Sequence, residues 1–202
     1  LRFGDWSLID GVAFPEIHDQ THLIDSYTPT SSDILIRGFD WGFTAPFATV
    51  WIAITRDGDL IVFKEWIGTA NSLHISYGAS DPAIWGKQNE GESIGEIFER
   101  IGLVMHRANN NRTFGKQQLH MRLRVDEYTK KPKIFFTKDV PITYRSLKEI
   151  QTDKRNPEVY DTSGFDHCVD ALRYAVMERT IDSGFDSPPE VYGERETNIQ
   201  SF

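Results

Sequence analysis

Three apolar runs in quick succession constrain the fold of this chain more than any other feature. Ile34-Leu35-Ile36-Arg37-Gly38-Phe39-Asp40 is β-rich, and Phe47-Ala48-Thr49-Val50-Trp51-Ile52-Ala53-Ile54-Thr55 is apolar without a helical stripe. Arg56-Asp57-Gly58-Asp59 is a turn signal, after which Leu60-Ile61-Val62-Phe63-Lys64-Glu65-Trp66 carries the chain back. Short apolar runs bounded by turn residues read as buried strands. The pattern predicts a three-stranded meander, with Asp40 at the C-terminal end of its first strand.

A carboxylate in that position needs a reason, because Asp is rarely buried unless it is paired or bound to a metal. Gly38 and Gly42 flank Asp40 and allow backbone or ligand to come close. The plainer reading is a turn Asp that ends a strand. Asp81 follows a short stretch, Ile75-Ser76-Tyr77, that leads into Ser80-Asp81-Pro82-Ala83. Pro82 disfavours helical backbone at Asp81, so a strand should stop there. Asp-Pro is also a common turn pair. Asp166 and Asp170 lie four apart in Phe165-Asp166-His167-Cys168-Val169-Asp170-Ala171-Leu172-Arg173-Tyr174-Ala175, on one face of a helix. Asp166 suits an N-cap, whereas Asp170, amid apolar neighbours, is harder to assign to the surface. His167 reads as a neighbour of the acids or an outer ligand. Glu65 reads as a structural or supporting partner, and Cys168 as core.

Two strand-end aspartates and a third acid on a C-terminal helix are what a two-metal phosphodiesterase site needs. Two divalent ions about 3.5–4 Å apart require several bridging and flanking carboxylates. Mg²⁺ and Mn²⁺ are the hard cations that such oxygen ligands favour.

The rest of the chain alternates helix and strand signals. Residues 1–33 read as a polar lead-in that packs on the domain edge. Ser93 to Met105 has helical spacing, with a capping box at Ser93 and Glu96. A helix is expected over 115–124, a basic hairpin-like segment over Asp126–Lys133, then the strand Ile134–Thr137. A short helix around Ile142, Leu147 and Ile150, a polar loop over 153–164 and a last helix over 166–177 complete the domain. Residues 180–202 read as an extended or poorly ordered tail. The fold expected over 1–179 is α/β, a mixed central sheet flanked by helices.

Net charge is −8 and the pI about 5.2. Taken alone, that argues against a nucleic-acid partner, since phosphate contacts need Lys and Arg. Acidic metal ligands and an acidic tail can lower the total while one face stays basic. Arg122, Arg124, Lys130, Lys131 and Lys133 form one basic group, and Arg107, Arg112 and Lys116 another. Either can hold phosphates without reading sequence, the bland alternative being a solvated basic face. The single cysteine rules out a disulfide within the chain and fits a reducing, intracellular compartment. No apolar run approaches the roughly 18 residues needed to span a bilayer. There is no Gly-rich phosphate loop. The chain lacks an initiator Met and is expected to begin inside a longer protein.

Taken in order, Gly4-Asp5-Trp6, Arg37-Gly38-Phe39-Asp40-Trp41-Gly42 with Pro46, Lys64-Glu65-Trp66, Ser80-Asp81-Pro82-Ala83 and Asp166-His167-Cys168-Val169-Asp170-Ala171-Leu172-Arg173-Tyr174 resemble the C-terminal nuclease domain of the large terminase subunit of tailed bacteriophages. The last segment is the most specific. The resemblance implies an RNase H-like fold and cleavage of double-stranded DNA during genome packaging with two metal ions, Mg²⁺ or Mn²⁺. It implies metal ligands at Asp40 and Asp81 and a third on the last helix. Asp166 is favoured there because the helix N-terminus faces the strand ends in such folds, with Asp170 as the close alternative. It further implies an ATPase domain in the same full-length chain, the portal protein and the small terminase subunit as partners, and the host cell cytoplasm as location. One departure stands out: residues 67–74 are too few for the helix the family usually places there, so that helix is lost or residues near Asn71 are missing. A non-catalytic docking module of the packaging motor and a Holliday-junction-resolvase-like nuclease are the competing readings.

Overall fold

The meander forms the centre of a seven-stranded sheet. The computed structural model describes residues 11–41, 47–67, 77–87 and 91–181. In chain order the elements are α1 (Asp19–His22), β1 (Leu23–Ile24), β2 (Ile34–Asp40), β3 (Ala48–Ile54), β4 (Leu60–Ile67), β5 (Tyr77–Ser80), a 3-10 turn (Pro82–Trp85), α2 (Ile94–Arg100), β6 (Met105–Arg107), α3 (Arg112–Leu123), β7 (Ile134–Thr137), α4 (Pro141–Glu149) and α5 (His167–Val176). The sheet order is β1-β7-β4-β3-β2-β5-β6. β3 is buried at every residue, as a continuous apolar run requires.

β3 pairs antiparallel with β2 and β4, while β5 joins β2, β6 joins β5, β7 joins β4 and β1 joins β7 in parallel. Six of the seven strands therefore point the same way, and their C-terminal ends share one edge. In open α/β sheets that edge is where ligands bind.

Successive strand residues face opposite sides of a sheet, and β2 uses this to carry helices on both. Gly38 lies directly under α5. A Cβ there would fall 2.7 Å from the Ala171 carbonyl carbon and 3.0 Å from Ala175 Cβ. Phe39, on the other side, meets Phe98 of α2 edge-on, with ring centroids 5.5 Å apart. α5 is apolar on nearly every side because it sits between the sheet and the helices α3 and α4. The capping box at Ser93 and Glu96 is present and starts α2.

Several elements differ from the sequence reading. The basic hairpin does not form: residues 124–133 make a turn closed by Asp126, whose Oδ1 accepts from Tyr128 N and Thr129 N and whose N–H donates to Lys131 O. Only β7 follows as a strand, and its partners are β4 and β1 rather than a preceding strand. The helix expected over 93–105 ends at Arg100, with Gly102 at φ +81° in the left-handed region, a conformation glycine adopts freely. Met105–Arg107 becomes an edge strand instead. Its polar residues carry no alternation, and backbone pairing alone defines it. α3 begins at Arg112, inside the segment read as loop, because Asn111 Oδ1 caps it by accepting from Phe114 N. The lead-in is more than a cover: Leu23 and Ile24 pair with β7, and Phe14 is fully buried in the core. The segments 67–74 around Asn71, Gly4-Asp5-Trp6, Gly42 to Pro46 and most of the tail fall largely or wholly outside the described residues.

Candidate active site

Strand register brings Asp40 and Asp81 together. β2 and β5 are parallel neighbours with Phe39 opposite Ser80, and Asp81 N–H donates to Phe39 O at 3.1 Å. The two aspartates therefore leave adjacent strands on the same edge. Pro82 ends the strand and opens the 3-10 turn, which Asp81 caps by accepting from Ala83 N at 2.9 Å.

α5 adds the third carboxylate region. Because Gly38 has no side chain, the first turns of α5 can lie against the end of β2. His167 then reaches Asp40, with Nδ1 2.8 Å from Oδ2. A carboxylate accepts, so Nδ1 carries the proton in this contact. Asp40 is only 5 % exposed. Burial raises its pKa to about 6. The hydrogen bond from His167 works against the rise, while the negative charges of Asp170 and Asp81 add to it. Asp40 thus feels Asp170 across the site, and burial and Asp170 likewise raise the Asp166 pKa.

Asp170 is held on several sides. Tyr160 OH donates to Oδ1, Arg173 Nε donates to the same oxygen at 3.0 Å, and Arg112 Nη2 stands 3.6 Å from Oδ2. Arg173, fully buried, also donates to Tyr160 OH at 3.1 Å and to Asn110 Oδ1 at 3.3 Å. An ion pair removed from water needs partners for its remaining donors and acceptors; Tyr160 and Asn110 supply them for Nε and Nη2 of Arg173, while its buried Nη1 has none among the described residues. Burial and the Asp170 charge push the Tyr160 pKa well above its usual value, so it stays a hydroxyl donor. Asp166 occupies the N-cap position of α5, yet its side chain makes no capping bond, and Arg112 Nη2 lies 3.7 Å away.

Other candidate residues fall elsewhere. Both Glu65 oxygens accept from the first turn of α4, Oε1 from Ile142 N at 2.8 Å and Oε2 from Thr143 N at 2.6 Å. Glu65 is therefore a helix cap supplied by a neighbouring strand. Arg122 and Lys116 are 3 % and 6 % exposed. Their charged groups donate to main-chain carbonyls, Arg122 to Gly58 O and Arg179 O, Lys116 to Pro157 O and Val159 O. Lys133 stands 3.7 Å from Asp59. The parallel register of β7 with β4 puts Arg124, Lys130, Lys131 and Lys133 at the N-terminal edge of the sheet. Over the seven residues of β2 that is about 20 Å from Asp40 at ~3.3 Å per residue. Of the second basic group, Arg107 and Arg112 stay on the carboxylate edge. Sequence reasoning missed Tyr160, Arg173 and Asn110. Arg173, three residues after Asp170 on a helix, was the one detectable signal; Tyr160 and Asn110 arrive from loops with no local cue.

The donors suit a hard divalent cation. They are carboxylate oxygens on one strand edge; burial raises the Asp40 pKa most, and the repulsion from Asp170 and Asp81 that adds to it is what a cation relieves. Asp40 and Asp81 sit at strand ends, with Asp170 and Asp166 on α5 beside them. Among the described residues, no three His, Cys, Asp or Glu side chains are gathered in a ligating geometry. Hydrogen bonds to His167, Ala83 N, Tyr160 and Arg173 hold the carboxylates instead.

No protein-family model and no curated protein sequence matches the chain. Solved structures do. The nuclease domain of the P22 large terminase aligns with a TM-score of 0.66 at 16% identity, covering 84% of this chain and 93% of that one. The large terminase nuclease of the thermophilic phage G20c, solved with bound magnesium, aligns with a TM-score of 0.55 at 13% identity over 83% and 97% of the two chains. The whole large terminase of a further thermophilic bacteriophage aligns with a TM-score of 0.64 at 14% identity over 82% of this chain, which spans 44% of that longer protein. These likenesses are of fold: the chain has the fold of the nuclease domain of phage large terminases.

Proposed function

We propose that this chain is a divalent-metal-dependent endodeoxyribonuclease, the nuclease part of a large terminase subunit, cutting double-stranded viral DNA in genome packaging. One observation carries the reading: Asp40 and Asp81 end adjacent parallel strands, and the charge of Asp170 on α5 reaches Asp40. The G20c nuclease with its bound magnesium supports the use of a divalent ion.

Asp40, Asp81 and one α5 carboxylate would hold the metal. Asp170 is the better third candidate, since its charge is the one among the α5 acids that Asp40 feels most. Asp166 then stands beside it at the helix start. Held there, two divalent ions would supply an activated water and would stabilise the leaving 3′ oxygen. The chain's own residues set the positions. His167 orients the Asp40 carboxylate through Nδ1, leaving Oδ1 for other partners. Tyr160 and Arg173 fix the Oδ1 of Asp170, so that Oδ2 faces Arg112. An ATPase domain in the same chain, the portal protein and the small terminase subunit are the partners, in the host cell cytoplasm.

The test is plasmid cleavage with Mn²⁺ by the wild-type chain and by Asp40→Asn. Loss of cleavage in the variant, with its circular dichroism unchanged, is the expected result; full retained activity would sink the proposal. A docking module with idle acids draws on the observation that the described carboxylates are not gathered for a metal. It predicts that the wild type itself cuts nothing. Preference for branched over linear duplex would move the assignment to a resolvase-like nuclease.

A further inference from the structure

The carboxylate edge has a rim of its own, made of two residues that the sequence pattern groups with Lys116 as one of two candidate phosphate-holding clusters. β6 lies next to β5 in parallel, with Arg107 opposite Ser80, so Arg107 stands one strand away, at about 4.8 Å spacing, from the residue before Asp81, on the Phe39 face of the sheet rather than the face that carries Asp40 and α5. Its exposed guanidinium lies over the Trp85 ring at 5.2 Å and forms no ion pair among the described residues. The chain then runs through Asn109, Asn110 and Asn111, all exposed, to Arg112. Arg112 packs over the Tyr160 ring at 5.3 Å, with Nη2 3.6–3.7 Å from Asp170 and Asp166. That is ion-pair range but outside hydrogen-bonding range, and its Nε and Nη2, both buried, hydrogen bond to nothing among the described residues.

Two arginines with faces covered by aromatic rings therefore stand at the carboxylate edge on opposite sides of the sheet, Arg107 against Trp85 on the α2 side and Arg112 beside the α5 acids. Stacking on Trp85 leaves the edge N–H groups of the exposed Arg107 available for planar recognition of phosphate, whereas the Nε and Nη2 of Arg112 are buried donors that lack an acceptor among the described residues. The loop between them is held: Asn110 Oδ1 accepts from Arg173 Nη2 and Tyr174 OH, and Asn109 Oδ1 accepts from Asn111 N. Asparagine and arginine side chains are ordinary donors to DNA phosphates. With a net charge of −8 the chain as a whole repels DNA, so attraction rests on local basic groups. The lysines 130, 131 and 133 are at the far edge, out of reach of a strand whose phosphate is at Asp40.

We propose that the Arg107–Arg112 loop is the surface that holds the DNA backbone at the carboxylate site, with Arg107 and Arg112 contacting phosphates on either side of the cut. This rests on the nuclease reading. The phosphate grip is independent of base sequence and carries the salt dependence of binding.

The experiment measures anisotropy of a short fluorescein-labelled duplex, in EDTA so that nothing is cut, at several salt concentrations. Each phosphate contact adds about 0.9 to the slope of log K against log salt. Arg107→Ala and Arg112→Ala should each weaken binding and flatten that slope by about one, with Arg112→Lys restoring most of the slope. Lys130→Ala/Lys131→Ala should bind as wild type. Circular dichroism checks that Arg112→Ala is folded; Arg107→Ala touches no carboxylate and stands as the second variant. If the wild type cuts plasmid with Mn²⁺ and Arg107→Ala keeps wild-type affinity and slope, this inference is overturned and the nuclease reading stands. It is likewise overturned if Lys130→Ala/Lys131→Ala flattens the slope and the loop variants do not. If the wild type neither binds nor cuts DNA, the nuclease reading falls and takes the inference with it.

Discussion

Gly38→Ala puts one methyl group between the sheet and the helix that carries half of the site. The added carbon would lie 2.7 Å from the Ala171 carbonyl carbon, nearer still to the Ala171 oxygen, and 3.0 Å from Ala175 Cβ. Non-bonded carbons prefer about 3.5–4.0 Å, so α5 must retreat by roughly 1 Å or β2 must bend. Overpacking of a buried contact typically costs about 1–3 kcal/mol, and a clash with backbone rather than a rotatable side chain belongs at the upper end. The catalytic consequence should be larger. His167 and Asp170 ride on α5 while Asp40 stays on β2, and a misplacement of about 1 Å costs on the order of 10²-fold in rate. Urea unfolding should show a lower midpoint, and Mn²⁺-dependent plasmid cleavage should fall by about that factor while the far-ultraviolet dichroism keeps its shape. Ala171→Gly added to the variant should rescue neither property, because the closest obstruction is main chain. Wild-type stability and wild-type cleavage in Gly38→Ala would refute the idea that this single contact sets the registry of the site.

Asp40 binds its proton more tightly in the folded state, with a pKa of about 6 against the usual 3.8. As pH rises from about 4 to 6 the folded state therefore holds more protons than the unfolded one and loses stability. Asp40→Asn removes that penalty: relative to wild type and without metal, it should gain roughly 2–3 kcal/mol between pH 4 and pH 7, as followed by urea titrations at each pH. A gap that stays flat with pH contradicts the assignment. Glu65→Ala frees two N–H groups at the start of α4 and should cost about 1–2 kcal/mol in thermal unfolding, with Mn²⁺ affinity unchanged; an equal loss of metal affinity would make Glu65 part of the metal site. Mn²⁺ at about 100 times its dissociation constant should stabilise the wild type by about 2.7 kcal/mol and leave Asp40→Asn nearly unaffected, as a melting shift in calorimetry will show.

The central sheet was legible because its signal is local. β2, β3 and β4 are runs of apolar residues separated by turn chemistry, and burial of β3 on both faces demands that composition. α5 was legible for the same reason, as was the stop at Asp81 that Pro82 enforces. The order of Asp40, Asp81, Asp166 and Asp170 in the chain was enough to suggest a hard-cation site. β6 was not legible, since a three-residue polar edge strand exists only through the backbone of β5.

Long-range pairing decided the rest. Which edge a residue occupies depends on strand direction, and direction is a property of pairing between distant segments. The parallel register of β7 with β4 carried Lys130, Lys131 and Lys133 away from the carboxylates, while the register of β6 with β5 brought Arg107 to them. Spacing puts Asp166 and Asp170 on one helix face but leaves open which of them faces Asp40. Close packing of α5 on Gly38, and the reach of Tyr160 and Arg173 to Asp170, settled their surroundings. Residue types and their order determined that this chain builds a sheet bearing acids at its strand ends; contacts between segments far apart in the chain decided which side chains share that edge, because no local preference encodes a distance across a fold.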